Sequence, residues 1–226
     1  MTTNVNEYFY REIFSLDDWE YFLTAGWDRI GDYFFHRRYD FSQIPFLPEG
    51  MYYRSQLLPL RYNLDQNFEF SKSQRMILKR NEDLRRIYKP IEITEEKLDL
   101  FNRWYAFRFK KEASIFTWVS NEAKPFPTFE VSFYKGDKLI ACSFFDVMSK
   151  SQYSTSAMFD PDEKHRSLGT LTLLAEIEFG LFHNKKYHYP GHAYLAPSIY
   201  DYKKRFNNME GFDWDSQTWV PVARLV

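Results

Sequence analysis

The alternation of apolar and polar positions divides the chain into a helical opening, a strand-and-turn stretch, two further helical patterns and a long strand-rich second half. Ser15 stands where a helix cap would, with Asp18 at the third helical position, and Leu16, Trp19 and Leu23 then share one face until Gly26. From Gly31 to Asn67 the signals are short strands and turns, including Phe46–Gly50 and Leu58–Arg61. The spacing of Met76, Ile77, Leu84 and Ile87 predicts a helix from about Ser73 to Tyr88, stopped by Pro90. A second helix is expected from about Thr94 to Phe109, with Leu98, Phe101 and Tyr105 in register.

Beyond Asn121 the period changes from helical to twofold. Strands are expected at Thr128–Tyr134, Lys138–Val147 and Tyr153–Phe159, the first pair joined by a turn at Gly136, which makes an antiparallel meander. A helix follows from Ser167–Thr170, with Leu168, Leu171, Ala175 and Phe182 at helical spacing, and then a strand from Tyr187 to Leu195. The expected fold is α+β, with an N-terminal α+β region over residues 1–92 packed against a meander-containing domain over 93–226.

Composition narrows the function classes. The chain is 226 residues long, 44% apolar and 20% aromatic, which excludes disorder; no pattern recurs at a fixed period. No basic flank followed by a long apolar run marks a signal peptide or membrane span, so the expected compartment is the cytoplasm. Cys142 is the single cysteine and lies in an apolar run, as a buried thiol would; this leaves no intrachain disulfide and no cysteine-clustered metal site. No metal or other cofactor is expected. Net charge is −1, so any nucleic-acid contact must come from a local patch.

Two such patches are visible. Lys72, Arg75, Lys79, Arg80, Arg85, Arg86 and Lys89 concentrate positive charge around Asn81, either as an ordinary solvated helix face or as a surface for phosphates. Tyr202, Lys203 and Arg205 form a smaller aromatic and basic cluster. Arg166, Ser167, Leu168, Gly169 and Thr170 occupy a strand-to-helix junction, where a small residue and free amides suit an anion, although an ordinary helix entry has the same pattern. Asp146 lies on the same strand face as Phe144 and Cys142; turned inward, it would need a donor and could orient an amine or another cation. His165 adjoins the junction, whereas His183, His188 and His192 show no carboxylate or cysteine grouping in sequence.

Taken together, these motifs resemble the aminoacyl-tRNA-protein transferase family, the arginyltransferases and bacterial leucyltransferases of the N-end rule, over roughly residues 20–220. The resemblance rests on Pro59-Leu60-Arg61, the run SKSQRMILKRN from Ser71 to Asn81, Gly136–Ala141, Asp146, Asp160-Pro161, Arg166–Thr170, Glu176–Glu178, Gly191, Tyr202-Lys203 and Arg205-Phe206. It departs from the family in lacking two cysteine pairs near the N-terminal motif, Arg54 and Leu57 occupying the places of one pair, so no iron-sulfur or haem-linked sensing carries over. Ser156 stands where relatives commonly have an aromatic residue.

The resemblance implies a GNAT-related acyltransferase fold and transfer of an aminoacyl group from aminoacyl-tRNA to the α-amine of a protein with an N-terminal Asp or Glu. Aminoacyl-tRNA would be a co-substrate, and its ester is already activated, so neither ATP nor a covalent enzyme intermediate is required. On this assignment Asp146 and Arg166 are the candidate catalytic residues, with Asp146 orienting the acceptor amine. Arg75, Lys79, Arg80 and Asn81 would hold tRNA, and Ser167, Gly169 and Thr170 the donor's terminal nucleotide, while Tyr202, Lys203 and Arg205 would contact substrate, with Lys203 or Arg205 meeting an acidic acceptor side chain. The same meander and glycine-containing junction also fit an acetyl-CoA-dependent N-acetyltransferase, or a non-catalytic RNA-binding module of the same architecture.

Overall fold

The capping pattern at Ser15 forms as expected. In the computed structural model, which describes residues 6–10, 15–42, 53–64, 68–119 and 127–225, the Ser15 hydroxyl accepts from Asp18 N–H while the Asp18 carboxylate accepts from Ser15 N–H. Helix α1 (Leu16–Thr24) follows, and Gly26 leaves it at φ +84°. Strand β1 (Asn6–Tyr10) precedes α1, and β2 (Asp28–Ile30) and β3 (Tyr33–Arg37) come after it. These strands make a separate antiparallel sheet in the order β1-β3-β2. The turn expected at Phe46–Gly50 lies outside the described residues.

Leu58–Arg61 is not a turn. It lies inside β5 (Tyr53–Asn63), an 11-residue strand flanked by β4 (Tyr39–Ser42) and several later strands. Pro59, which lacks an N–H, falls between the residues paired with β4 and those paired with β12 (Met209–Asp213), where among the described strands β11 (His192–Tyr194) alone faces it.

The basic helix is shorter than its spacing predicts. Helix α2 (Lys72–Arg80) starts on a Ser71/Gln74 capping box and ends at Asn81, whose amide donates back to the Ile77 carbonyl at 2.8 Å and across to the Arg166 carbonyl at 3.0 Å. After the turn at 81–84, Leu84 enters the core and Arg85–Pro90 becomes edge strand β6, paired with β7 (Thr128–Lys135). Met76, expected in the apolar stripe, faces solvent instead. Pro90 ends an edge strand here, a position where the missing N–H costs little.

Helix α3 (Glu95–Phe109), β7, β8 (Lys138–Val147), β9 (Ser151–Phe159) and helix α4 (Leu168–Phe182) then follow nearly as the pattern predicts. The strand expected from Tyr187 to Leu195 is divided by Pro190 and Gly191, the glycine at φ +76°, into β10 (Tyr187–Tyr189) and β11. Strand β13 (Thr218–Pro221) closes the order β13-β12-β5-β10-β9-β8-β7-β6, with β4 and β11 also on β5. The sheet is mixed: β10 runs parallel to β9, and the meander β7-β8-β9 is antiparallel.

The two long helices bury opposite faces of the meander. Leu168, Leu171 and Ala175 of α4 pack with Val131, Phe133 and Phe145, while Leu100 and Phe101 of α3 pack with Cys142, Phe144 and Met158. Cys142 is therefore a packed thiol, pushed up to about 12 by burial, and is inert as a nucleophile. Strands on both sides of residue 92 share the large sheet, since β5 lies beside β10 and β12, and β6 beside β7. Among the described residues no helix is long and apolar enough to cross a membrane.

Candidate active site

The cavity lies where β9 loses register with β8. Phe144 faces Ser156 but Phe145 faces Ser154, leaving Thr155 without an opposite residue, as in a β-bulge that re-aims side chains. Ser154, Thr155 and Ser156 line a cavity of about 750 Å³, together with the first turn of α4, the end of α3, the Pro190-Gly191 break and the short helical turn Asp201–Arg205. Trp104, Tyr105, Phe109 and Phe159 contribute aromatic surface to its wall. Aromatic and aliphatic walls with a few polar groups are the usual make-up of a small-molecule pocket.

One polar cluster comes from the front of the chain. Asp28 at the start of β2 is buried, accepts from the Tyr153 hydroxyl and the His192 Nδ1–H, and takes the Arg29 N–H at 2.8 Å. Burial alone would raise the Asp28 carboxyl, but His192, with Tyr153 and the Arg29 N–H, holds it below its ordinary value. Because Nδ1 gives its hydrogen to Asp28, the neutral His192 ring has Nε2 as its acceptor.

A second cluster descends from α4. Glu176 is 2% exposed and hydrogen-bonded to the Ser154 hydroxyl; burial, against the opposing Ser154 contact, pushes its carboxyl up to about 8. His188 on β10 is fully buried, 3.1 Å from Ser154 Oγ through Nε2 and 2.7 Å from Gln152 Nε2 through Nδ1, and burial lowers it to about 3. Lys203 stands near both clusters. Its ammonium donates to the carbonyls of Pro190 at 2.6 Å and His192 at 3.3 Å, and burial, despite Asp28 and Glu176 nearby, pushes it down to about 8.

Of the residues singled out in the sequence, the cavity wall takes in Ser167, Gly169, Thr170, Tyr202 and Lys203. Asp146 is inward-facing and buried, but the cation it orients is internal: Arg29 donates to Oδ2 through Nε at 3.1 Å and through Nη2, and the Thr128 hydroxyl donates to Oδ1 at 2.8 Å. Arg29 in turn lines the cavity. Arg166 is also buried outside the wall, forking onto Asp83 at 2.8 and 2.9 Å and onto Glu163 at 3.0 Å, so that it clamps the α2 terminus to the entry of α4.

Asn81 is buried as a brace in that clamp, whereas Arg75, Lys79 and Arg80 are exposed on α2. Arg205 is exposed and outside the wall. The left-handed residue at the entry to α4 is Ser167, at φ +56°, not Gly169. Gly169 is small for a different reason: a Cβ there would sit 3.1 Å from the Phe159 ring on the cavity wall. Among the described residues no side chain caps α4.

The sequence reading missed Asp28, Arg29, Ser154, Glu176, His188 and His192. Glu176 carried a signal, being an acid amid the apolar run Leu171–Gly180. The histidines carried none, because Asp28 lies 164 residues from His192, and Gln152 and Ser154 lie 36 and 34 residues from His188.

Residues 96–213 match the family model described as arginine-tRNA-protein transferase, C terminus. The chain belongs to this family. It is 25% identical over 197 residues to an aspartate/glutamate leucyltransferase of Helicobacter hepaticus, covering 83% of this chain and 76% of that one. It is 26% identical over 212 residues to an aspartate/glutamate leucyltransferase of Campylobacter jejuni, covering 90% and 83%. Among solved structures, the C-terminal domain of an Agrobacterium fabrum protein described as a lysylphosphatidylglycerol synthetase superposes with a TM-score of 0.50 at 16% identity, covering 62% of this chain and 47% of that one. That likeness concerns the fold alone.

Proposed function

We propose that the protein transfers an aminoacyl group, leucyl by analogy with its relatives, from the 3′ end of a charged tRNA to the α-amine of a protein that begins with Asp or Glu. The observation that carries this reading is that the family match supplies the cavity wall from Trp104 to Lys203, including Ser154, Glu176 and His192. The GNAT-related acyltransferase architecture and a cytoplasmic setting, where charged tRNA is found, belong to the same reading.

The donor ester is activated, so the residues must position two substrates and manage protons. An ordinary α-amine has a pKa of about 7.7, so part of it is neutral at cellular pH, and a base takes the proton its nitrogen sheds as the new amide forms. His192, oriented by Asp28 with Nε2 available, is that base; the arrangement is the carboxylate-imidazole pair familiar from other acyl transfers. The uncapped first turn of α4, from Ser167 to Thr170, receives the terminal nucleotide, and exposed Arg75, Lys79 and Arg80 hold tRNA phosphates.

For the acidic side chain of the acceptor, Arg108 at the end of α3 fits better than Lys203 or Arg205. It lines the cavity and is exposed, with no ion pair among the described residues, while the Lys203 ammonium is already given to two carbonyls. Purified protein should be given leucyl-, arginyl- and other charged tRNAs with peptides differing only in their first residue. Product should form with one or few charged tRNAs and with N-terminal Asp or Glu. Amine acetylation from acetyl-CoA, with no use of any charged tRNA, would overturn the reading.

A further inference from the structure

The polar groups around Glu176 form a closed ring of hydrogen bonds whose donor directions can be deduced. The main-chain carbonyl of Glu176 can only accept, so the Gln152 atom against it is the amide nitrogen. The same nitrogen lies 2.7 Å from His188 Nδ1 and gives it the other hydrogen, making Nδ1 an acceptor. Neutral His188 then carries its hydrogen on Nε2 and donates it to Ser154 Oγ at 3.1 Å. Ser154 completes the ring by its hydrogen bond to the Glu176 carboxyl.

Glu176 is buried within α4, and its near neighbour His188 is a neutral ring, so the resting carboxyl keeps its proton. The Glu176 O–H is then a donor to Ser154. Both lone pairs of Ser154 Oγ are thereby taken, one by His188 and one by Glu176. Its own hydrogen has a single outlet, the cavity that Ser154 lines at the β-bulge.

We propose that Ser154 delivers this hydrogen to the departing ribose oxygen of the donor, with Glu176 behind it as the proton source. The inference rests on the aminoacyl-transfer reading of the cavity. In the step, the neutral α-amine attacks the ester carbon, the C–N bond forms and the bond to the ribose oxygen breaks. The Ser154 hydrogen passes to that oxygen as the Glu176 hydrogen passes to Ser154 Oγ, leaving a carboxylate. The new amide nitrogen loses one proton to His192, and proton return to Glu176 resets the site. No oxidant, metal or covalent intermediate enters the balance. His188 and Gln152 are positioning residues, because they fix which lone pairs of Ser154 are occupied.

Replacing the leaving oxygen with sulfur tests the step, since a thiolate departs without needing a proton. Wild type, Ser154→Ala and Glu176→Gln are compared in single turnover with an aminoacyl-tRNA of ordinary ester linkage and with one whose terminal bridging oxygen is sulfur. Glutamine retains a donor toward Ser154 but cannot give up a proton. Both variants should lose at least about 100-fold on the oxygen ester, and come within several-fold of wild type on the thioester, with donor affinity unchanged. Equal losses on both donors would overturn the relay while leaving aminoacyl transfer by wild type intact. A wild type that uses neither donor would overturn the transfer reading itself, and the relay with it.

Discussion

At the scale of single residues, the cavity separates two carboxyls: Asp28 is held below its ordinary value and Glu176 is pushed up to about 8. Environments that drive like groups apart are how one site obtains both an acid and a base. The separation has a consequence for stability. Glu176 binds its proton more tightly folded than unfolded, so its contribution is full at low pH and is lost as pH rises from about 4.5 through about 8. His188, lowered to about 3, acts oppositely, its neutral buried form favouring the fold as pH rises from about 3 to 6.5. The charged and titratable groups facing Glu176 are His188 from β10, Lys203 and Tyr202 from the 201–205 turn, Tyr62 from β5 and Tyr88 from β6. Lys203 and the tyrosines titrate at or above about pH 8. Lys203, itself lowered to about 8, offsets Glu176 as pH approaches 8, so Glu176 dominates this group only from about pH 6.5 to about 7.5, where denaturant melts should show stability falling by up to about 1.4 kcal/mol per pH unit. Glu176→Gln should flatten that slope; an unchanged slope would mean that Glu176 is ionised at rest.

At the scale of elements, the short reach of α2 decides where tRNA can bind. The helix ends at Arg80, and Arg86 of the following strand is taken up by Glu178, which leaves Arg75, Lys79 and Arg80 as an exposed basic group close to the entry of α4. Changing the three together to Ala should lower tRNA affinity and make its dependence on salt shallower by two to three units of logarithmic slope, on the basis of about 0.7–0.9 per phosphate contact. Unchanged affinity and slope in a salt titration would move the RNA surface elsewhere. This is also where the sequence was most and least legible. The Ser15 cap, the hairpin at Gly136 and α3, β7, β8 and α4 rest on local patterns, and they formed within a few residues of expectation. The end of α2 was not legible, because Asn81 is held by the Arg166 carbonyl and Leu84 by a core built from later strands and α4. The spacing of Leu84 and Ile87 fits a helix, but tertiary packing turned that segment into an edge strand.

At the scale of the molecule, the site is assembled from the whole length of the chain. Asp28 and His192 meet across 164 residues, and Arg29 and Asp146 across 117, where β2 of the separate small sheet lies against β11 and β8, and the large sheet itself joins β5 and β6 from the front half to strands of the second. Such pairs leave no trace in local periodicity, which is why the sequence pointed to the entry of α4 and to Lys203 but not to the carboxyls beside them. The arrangement gives acceptor and donor one shared cavity, and transfer should need a free α-amine and an aminoacyl ester together. The most direct measurement is the intact mass of a peptide with N-terminal Asp or Glu after a single turnover on charged tRNA, alongside the same peptide with its α-amine blocked. The free peptide should gain one aminoacyl residue at its N-terminus and the blocked peptide none. A peptide mass that never changes with any charged tRNA would contradict the account.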